Sequence, residues 1–288
     1  MVNGKSYAIF WGCTIPIMQP YVEKATRLVF EKLNVKLIEM IGATCCPEPE
    51  ISRLSDLKYW RIIAIRNLTI AEEMNLNVLT LCNGCYDVLS EALKETKSNI
   101  EKFNEVNEFL LKINKKFKGE VNVMHAIEVL YDDIGLEEIK KYIVKPLKNL
   151  NVAIFNGCRL LKEEEKEFPK KFKELVEILN AKVVDYEYNE MCCGLPLLYS
   201  NQEMAFKERS AIKIKSAKDA NADVLTVFCP ACFNMLEKSQ FAVDMGEKKL
   251  PIMNYMELLC LAMGFSMDDF GAFLHRIPID NIIEKIEG

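Results

Sequence analysis

NVLTLCNGC (residues 77–85) is a short aliphatic and β-branched run that passes straight into a Cys-x-x-Cys pair, and DVLTVFCPAC (residues 223–232) repeats it with one residue added before the first cysteine. An apolar run of this length reads as a buried strand. A thiol pair directly after it lies at the strand's C-terminal end, which in open α/β sheets is the ligand-binding edge. Working outward, YAIFWGC (7–13) and VAIFNGC (152–158) share five of seven residues, and VMHAIEVLYDDIG (123–135) answers IMNYMELLCLAMG (252–264). The offset is near 145 residues. A solenoid period is only about 20–50 residues, so the repeat marks a duplicated domain.

The halves share one order of elements. YAIF and VAIF are first strands, followed by helices over 21–33 and 163–180. VKLIEM and AKVVDY are second strands, followed by helices over 56–74 and 203–220. After the third strands, NVLTL and DVLTV, residues 86–117 read as helix with a break. VNVM and LPIM are fourth strands, each leading into an amphipathic helix. Such alternation predicts the α/β class, as two duplicated parallel-sheet domains with helices on both faces and a pseudo-two-fold relation. The expected division is a first domain over 1–148 and a second over 149–288.

Ten of the eleven cysteines follow the repeat. Cys13 precedes Cys45-Cys46 by 31 residues, and 35 more lead to Cys82-x-x-Cys85. Cys158 precedes Cys192-Cys193 by 33 residues, and 35 more lead to Cys229-x-x-Cys232. Each half thus gathers five thiols at one sheet edge. Several of them precede helices, whose positive N-termini favour the metal-ligating thiolate. Disulfides fit poorly: MVNGKSYAIFWGC has no signal-peptide layout, and 50% apolar residues supply ample core, whereas disulfides staple small secreted domains. A cytoplasmic location follows, where clustered cysteines point to metal or redox chemistry. Structural zinc and a cubane [4Fe–4S] cluster each take four ligands. Four ligands plus a bystander, or a cluster with one bridging thiolate, both satisfy a count of five.

Other chemistry has little support. A net charge of −5 gives no reason to expect nucleic acid, and no apolar run approaches the roughly 20 residues of a transmembrane segment. There is no GxGxxG, Walker loop or GxSxG elbow, so electrons must come from another protein. Of the two histidines, His125 sits at the cysteine edge and is expected to be a hydrogen-bonded loop residue, its repeat counterpart being Asn254. His275 is expected to be exposed in the C-terminal tail. Cys260, on an apolar helix face, is expected to be a small core residue. KEEEKEFPKKFKE (162–174) and residues 94–118 are expected to form solvated helix faces. FLHRIPIDNIIEKIEG (273–288) fits either partner docking or a fold-closing helix.

Both repeats resemble the cysteine-rich CCG domains found in the B subunit of heterodisulfide reductase from methanogenic archaea. The likeness rests on GC(13)…CCP(45–47)…CNGCY(82–86) and GC(158)…CCG(192–194)…CPAC(229–232), and covers nearly the whole chain. The resemblance implies two non-cubane [4Fe–4S] clusters. Cys13, Cys45, Cys46, Cys82 and Cys85 would hold the first, and Cys158, Cys192, Cys193, Cys229 and Cys232 the second, with zinc in one site as the alternative. It implies an oxidoreductase acting on a sulfur group, of dihydromethanophenazine- or ferredoxin-linked type. The substrate would be the coenzyme M–coenzyme B mixed disulfide, cleaved between the sites in methanogenesis. Implied partners are the heterodisulfide reductase C subunit, whose cubane clusters donate the electrons, and the flavin-bearing A subunit. A paralogue acting on another disulfide or a carboxylate, or a non-catalytic adaptor, are the alternatives.

The second half departs from the family pattern. Asn156 and Arg159 flank Gly157-Cys158 where His is usual, LPLLYS (195–200) replaces a glycine-rich run, and Phe233 follows CPAC where His is common. For an anionic substrate, Arg53, Arg66, Arg159 and Arg209 are candidate partners, against the competing expectation of surface salt bridges.

Overall fold

In the computed structural model, which describes residues 4–162, 166–244, 246 and 249–287, the chain builds two four-stranded sheets of the same topology. The first holds β1 (Ser6–Ile9), β2 (Lys36–Glu39), β3 (Val78–Thr80) and β4 (Val123–His125) in the order β2-β1-β3-β4. The second holds β5 (Asn151–Ile154), β6 (Lys182–Val184), β7 (Val224–Val227) and β8 (Ile252–Asn254) in the order β6-β5-β7-β8. Every pairing is parallel, with Ala8 opposite Val78 and Val152 opposite Val224 at the centres. The central strands β3 and β7 are buried along their length, while the edge strands β2 and β6 place Lys36, Glu39 and Lys182 in solvent. Apolar runs therefore mark the centres, and charged residues blunt the edges.

From β1 the chain steps outward to β2, then back across β1 to β3. Right-handed crossovers in opposite directions put helices on both faces of each sheet. The reversal makes the C-terminal ends of β1 and β3, and of β5 and β7, topological switch points.

Among the helices, α1 (Pro20–Lys32) follows β1, α2 (Leu57–Glu73) follows β2, and α3 (Asn83–Lys97) and α4 (Ile100–Leu111) follow β3. In the second half come α5 (Phe168–Glu177), α6 (Ile212–Asp219), α7 (Pro230–Ala242), α8 (Tyr255–Ala262) and the terminal α9 (Asp280–Glu287). Several differ from the sequence expectation for local reasons. The 56–74 helix starts at Leu57 because Asp56 caps it through the amides of Lys58 and Tyr59, and a separate turn covers Ile51–Ser55. The break in 86–117 falls at Ser98 and Asn99, where Asn99 caps α4. The 203–220 helix contains a π-helical stretch, Phe206–Ala211. The second half's first helix begins at Phe168, with Pro169 in its first turn; residues 163–165 of the acidic run lie outside the described residues, as does Gly288. Fourth strands end at His125 and Asn254, one residue beyond VNVM and LPIM.

The halves pack reciprocally. Helix α1 lies on α8, with Lys32 Nζ donating to the Met263 carbonyl at 2.6 Å. Helix α5 lies on the segment after β4, where Tyr131 OH donates to Glu174 at 2.6 Å. His275 is buried, contrary to expectation. Its ring stacks on Tyr21 at 4.2 Å and its Nε2 lies 2.6 Å from Glu257 Oε1. Ile277, Ile279 and Ile282 are buried beside it, so the tail closes the fold. Cys260 is fully buried in the core, as expected. In the 94–118 stretch Val106, Leu110 and Phe117 face inward while Leu111 and Ile113 stay exposed.

Candidate metal centre

The Gly-Cys and Cys-x-x-Cys groups sit at the switch points because β1, β3, β5 and β7 end there, whereas the Cys-Cys pairs are carried on the longer loops after the edge strands β2 and β6. Cys82 and Cys229 are the N-caps of α3 and α7, and Cys85 and Cys232 lie in their first turns. The Gly-Cys pairs bring the loops after β1 and β5 against these turns. Gly12 has φ +71°, and a Cβ there would lie 3.0 Å from Cys85 Sγ. Gly157 has φ +78°, and its Cβ would lie 2.6 Å from Asn83 Nδ2. Only glycine combines that backbone with that approach. The Cys-Cys loops are held from the following helical segments. Asn67, fully buried, donates to the Cys45 carbonyl at 3.0 Å and accepts from the Thr44 amide. Ser210 donates to the Cys193 carbonyl at 2.6 Å.

The ten thiols form one continuous file. Cys13 interacts electrostatically with Cys45, and Cys46, Cys85 and Cys82 follow in the same way. Cys82 meets Cys229 across the halves, and the file runs on through Cys232, Cys193, Cys192 and Cys158, the last pair 3.8 Å apart. The order is palindromic: each cysteine and its repeat counterpart stand at matching places in the sequence of thiols on either side of the Cys82–Cys229 centre. The inner thiols are buried, Cys13 and Cys45 are exposed, and Cys158 and Cys192 are half-buried. All ten sequence-selected cysteines are thus brought together. Among the described residues, no group of three or more His, Cys, Asp or Glu side chains surrounds a single-ion position.

The electrostatics show what such a file requires. Donation from Cys45 and then Cys85 holds Cys46 down to about 5. Donation from Cys158 and Cys193, the Gly194 amide and the Arg159 charge hold Cys192 down to about 2. Cys229 is lowered by Cys232 and Cys82. Their donors move the other way: hydrogen bonding to a neighbouring thiolate, together with burial, raises Cys13, Cys82, Cys85, Cys158 and Cys232, and brings Cys193 up to about 12. Ten thiols this close cannot all ionise without added positive charge. A polynuclear, all-thiolate metal group supplies that charge, so the donor set fits iron–sulfur chemistry.

Around the file, charge and access differ between halves. Arg159 pairs with Glu50 and, at 2.7 Å, with Asp87, which also takes Lys162. Arg53 pairs with Glu91, and Arg66 donates to the Gly42 carbonyl. Three of the four candidate arginines are therefore engaged by the protein, while exposed Arg209 covers Gly194 with its stem. The divergent LPLLYS segment forms a helical turn, Leu195–Leu198, and places Tyr199 within electrostatic reach of Cys13 and Cys45 in the other half. A cavity of 290 Å³ walled by Phe10, Trp11, Pro16 and Met40 opens onto Cys45; its Glu39 is paired with Arg27 at 2.6 Å. A larger cavity of 690 Å³, between Leu136–Pro146 and Glu174–Asn180, holds no cysteine.

His125 is an N-cap rather than a loop residue. Its Nδ1 accepts from the Ile127 amide and Glu128 returns a bond to its own amide, as Asn254 and Glu257 do in the second half. Burial depresses His125 to about 3, so the ring is neutral. Sequence reasoning missed Asn67, Ser210 and Lys213, all fully buried. Asn67 interrupts the apolar run of α2, and Lys213 shares the stripe of Ser210, Ile214 and Ala217. A polar residue on a core-facing stripe was the available signal.

The Cysteine-rich domain family (CCG) matches residues 7–90 and 152–237. The B subunit of a ferredoxin/F(420)H(2)-dependent CoB-CoM heterodisulfide reductase from Methanosarcina acetivorans is 36% identical over 97% of this chain and 96% of that protein. An "8-methylmenaquinol:fumarate reductase membrane anchor subunit" of Wolinella succinogenes is 30% identical over 93% of this chain and 95% of that protein. In fold, a hypothetical protein from Helicobacter pylori superposes with a TM-score of 0.74 at 17% identity; the match covers 95% of this chain but only 52% of that one. Among the described residues, no helix is long and apolar enough to cross a membrane. Two tandem family domains and full-length relatives agree with the thiol file: the chain belongs to the B-subunit family of heterodisulfide reductases, within the CCG-domain proteins, as an iron–sulfur redox subunit of a multi-subunit oxidoreductase.

Proposed function

We propose that this chain is the catalytic subunit of a cytoplasmic heterodisulfide reductase, reducing the coenzyme M–coenzyme B mixed disulfide to two thiols. The palindromic ten-thiol file carries the proposal. It offers two matched five-thiolate sets meeting at one centre, and a disulfide needs two electrons. Cys13, Cys45, Cys46, Cys82 and Cys85 would hold one non-cubane [4Fe–4S] cluster, and Cys158, Cys192, Cys193, Cys229 and Cys232 the other. When bound, these clusters supply one-electron transfer to sulfur. The domains carrying them are residues 1–148 and 149–288.

The chain's own residues prepare the site. Gly12 and Gly157 admit the backbone to the thiols, and Asn67 and Ser210 fix the Cys-Cys loops. Cys13 and Cys45 are exposed, and Cys45 lines the 290 Å³ cavity, so this end of the file is open to a small molecule. Electrons would come through the cubane clusters of the C subunit and the flavin of the A subunit, with ferredoxin or dihydromethanophenazine as the ultimate donor.

Anaerobic isolation with iron and sulfide analysis tests this. About four irons per cysteine set are expected, with an EPR signal that changes on adding the mixed disulfide. Stoichiometric zinc, or no spectral response, would contradict the assignment. The likeness to a fumarate reductase subunit favours a second substrate class, a carboxylate couple. Turnover of the assembled complex with fumarate but not with the disulfide would select it.

A further inference from the structure

We propose that Lys213 makes the two cysteine sets electrochemically unequal, its buried ammonium favouring electron uptake at the second set over the first. The inference rests on the proposal that both sets hold clusters. Lys213 lies on α6 with no exposed surface. Its Nζ donates to the carbonyls of Tyr188 and, at 3.3 Å, Asn189, just before the Cys192-Cys193 loop. The same nitrogen stands 4.1 Å from the Phe155 ring centre and 5.7 Å from that of Tyr186. Among the described residues no carboxylate pairs with it.

The titratable groups that act on it are cysteines: Cys232, Cys193, Cys192 and Cys158, four of the five in the second set. Burial pushes the ammonium down to about 8, which leaves it charged at neutral pH. The other cation there, Arg159, also acts on Cys192 but is paired with the carboxylates of Glu50 and Asp87. In the first half, thiols dominate the electrostatic neighbours of Cys13, Cys45, Cys46, Cys82 and Cys85. Arg66, 147 residues before Lys213, is half-exposed on the Gly42 carbonyl, where water and salt screen it.

One electron from an iron–sulfur donor protein adds one negative charge to a set, with no bond broken and no proton required. A nearby unscreened cation lowers the energy of that added charge, and low local dielectric enlarges the effect. Net charge is among the factors that set cluster potentials. Lys213 also braces the Tyr188–Asn189 turn, so a purely structural role must be separated from an electrostatic one.

The test is an EPR-monitored dithionite titration of the full chain with its clusters, the signals assigned to halves by Cys13→Ser and Cys158→Ser. The second-set signal is expected to be reduced first. Lys213→Met keeps an unbranched stem against Phe155 and Tyr186. It is expected to cut the reduced-to-oxidised ratio of the second set at least tenfold at fixed poise, about 59 mV for one electron. The first set should hold its position, and Lys213→Arg should restore the second. Loss of second-set iron in Lys213→Met, with the remaining signal at its original potential, would overturn the proposal in favour of bracing. Equal potentials in the unaltered chain, or first-set reduction first, overturn it without any variant. Iron in only one set of the unaltered chain would sink the two-cluster assignment as well, whereas iron in both with equal potentials sinks this inference alone.

Discussion

At the scale of single residues, Gly157 and His275 give the sharpest expectations. Gly157→Ala must adopt a left-handed backbone and displace Asn83 Nδ2, which donates to the Asn156 carbonyl at 2.7 Å across the halves. Backbone strain at φ +78°, ψ 146° costs about 1–3 kcal/mol, and the lost inter-half bond about 1 kcal/mol more. Gly42→Ala is the control, because its φ is +85° and nothing lies within 4 Å of its Cβ. Denaturant midpoints under anaerobic conditions should fall further for Gly157→Ala; equal shifts would refute the close-approach argument. His275 is the group whose titration begins near pH 6.5. Burial lowers its pKa, but the charge and hydrogen bond of Glu257, with the charge of Glu237, outweigh burial and raise it above 6.5. A raised histidine contributes stability that is full below pH 6.5 and fades as pH climbs through its folded value. Urea midpoints should therefore drop as pH rises from 6.5, and Glu257→Gln should flatten that slope. An unchanged slope in Glu257→Gln would place the titration elsewhere.

Elements carry the next level of control. Helix α3 projects Asp87 toward the 3-10 turn Cys158–Leu161 of the other half, where Arg159 and Lys162 both reach it. Asp87→Asn should leave two neighbouring cations undercompensated and cost about 2 kcal/mol. A matching loss in thermal unfolding, larger than for Glu91→Gln at the surface pair with Arg53, is the expected result. Much of this level was legible in the sequence. β3 and β7 were readable because strands covered on both faces are continuously apolar, and their cysteines followed directly. Less legible were features set by partners distant in sequence. The π-helical stretch at Phe206–Ala211 and the burial of His275 have no local signature, since each depends on what packs against it. His125 and Asn254 were matched by repeat alignment, but their shared capping role depends on Glu128 and Glu257 three residues on, a spacing that names a capping box once the strand end is known.

For the molecule as a whole, the central contact is Cys82 with Cys229, and α1 on α8 mirrors α5 on the segment after β4. Each half buries part of its core against the other. A fragment ending at residue 148 is therefore expected to aggregate or unfold, exposing Tyr21 and its neighbours; a soluble, cooperatively melting fragment would contradict this. The duplicated frame and the ten thiols were visible from sequence alone. Their arrangement as a single file was not, because spacing along a chain is silent on how two sheets face each other.

The midline meeting of Cys82 and Cys229 also bears on biogenesis. The N-terminal cysteines leave the ribosome well before their opposite numbers, and the innermost one remains without its neighbour until Cys229 emerges, 147 residues later. During that interval the nascent chain presents reactive sulfur with an unfinished wall. The thiol file can be joined across the midline only after Cys229 has emerged, so the half-built surface exposed before then is one that the finished protein no longer displays.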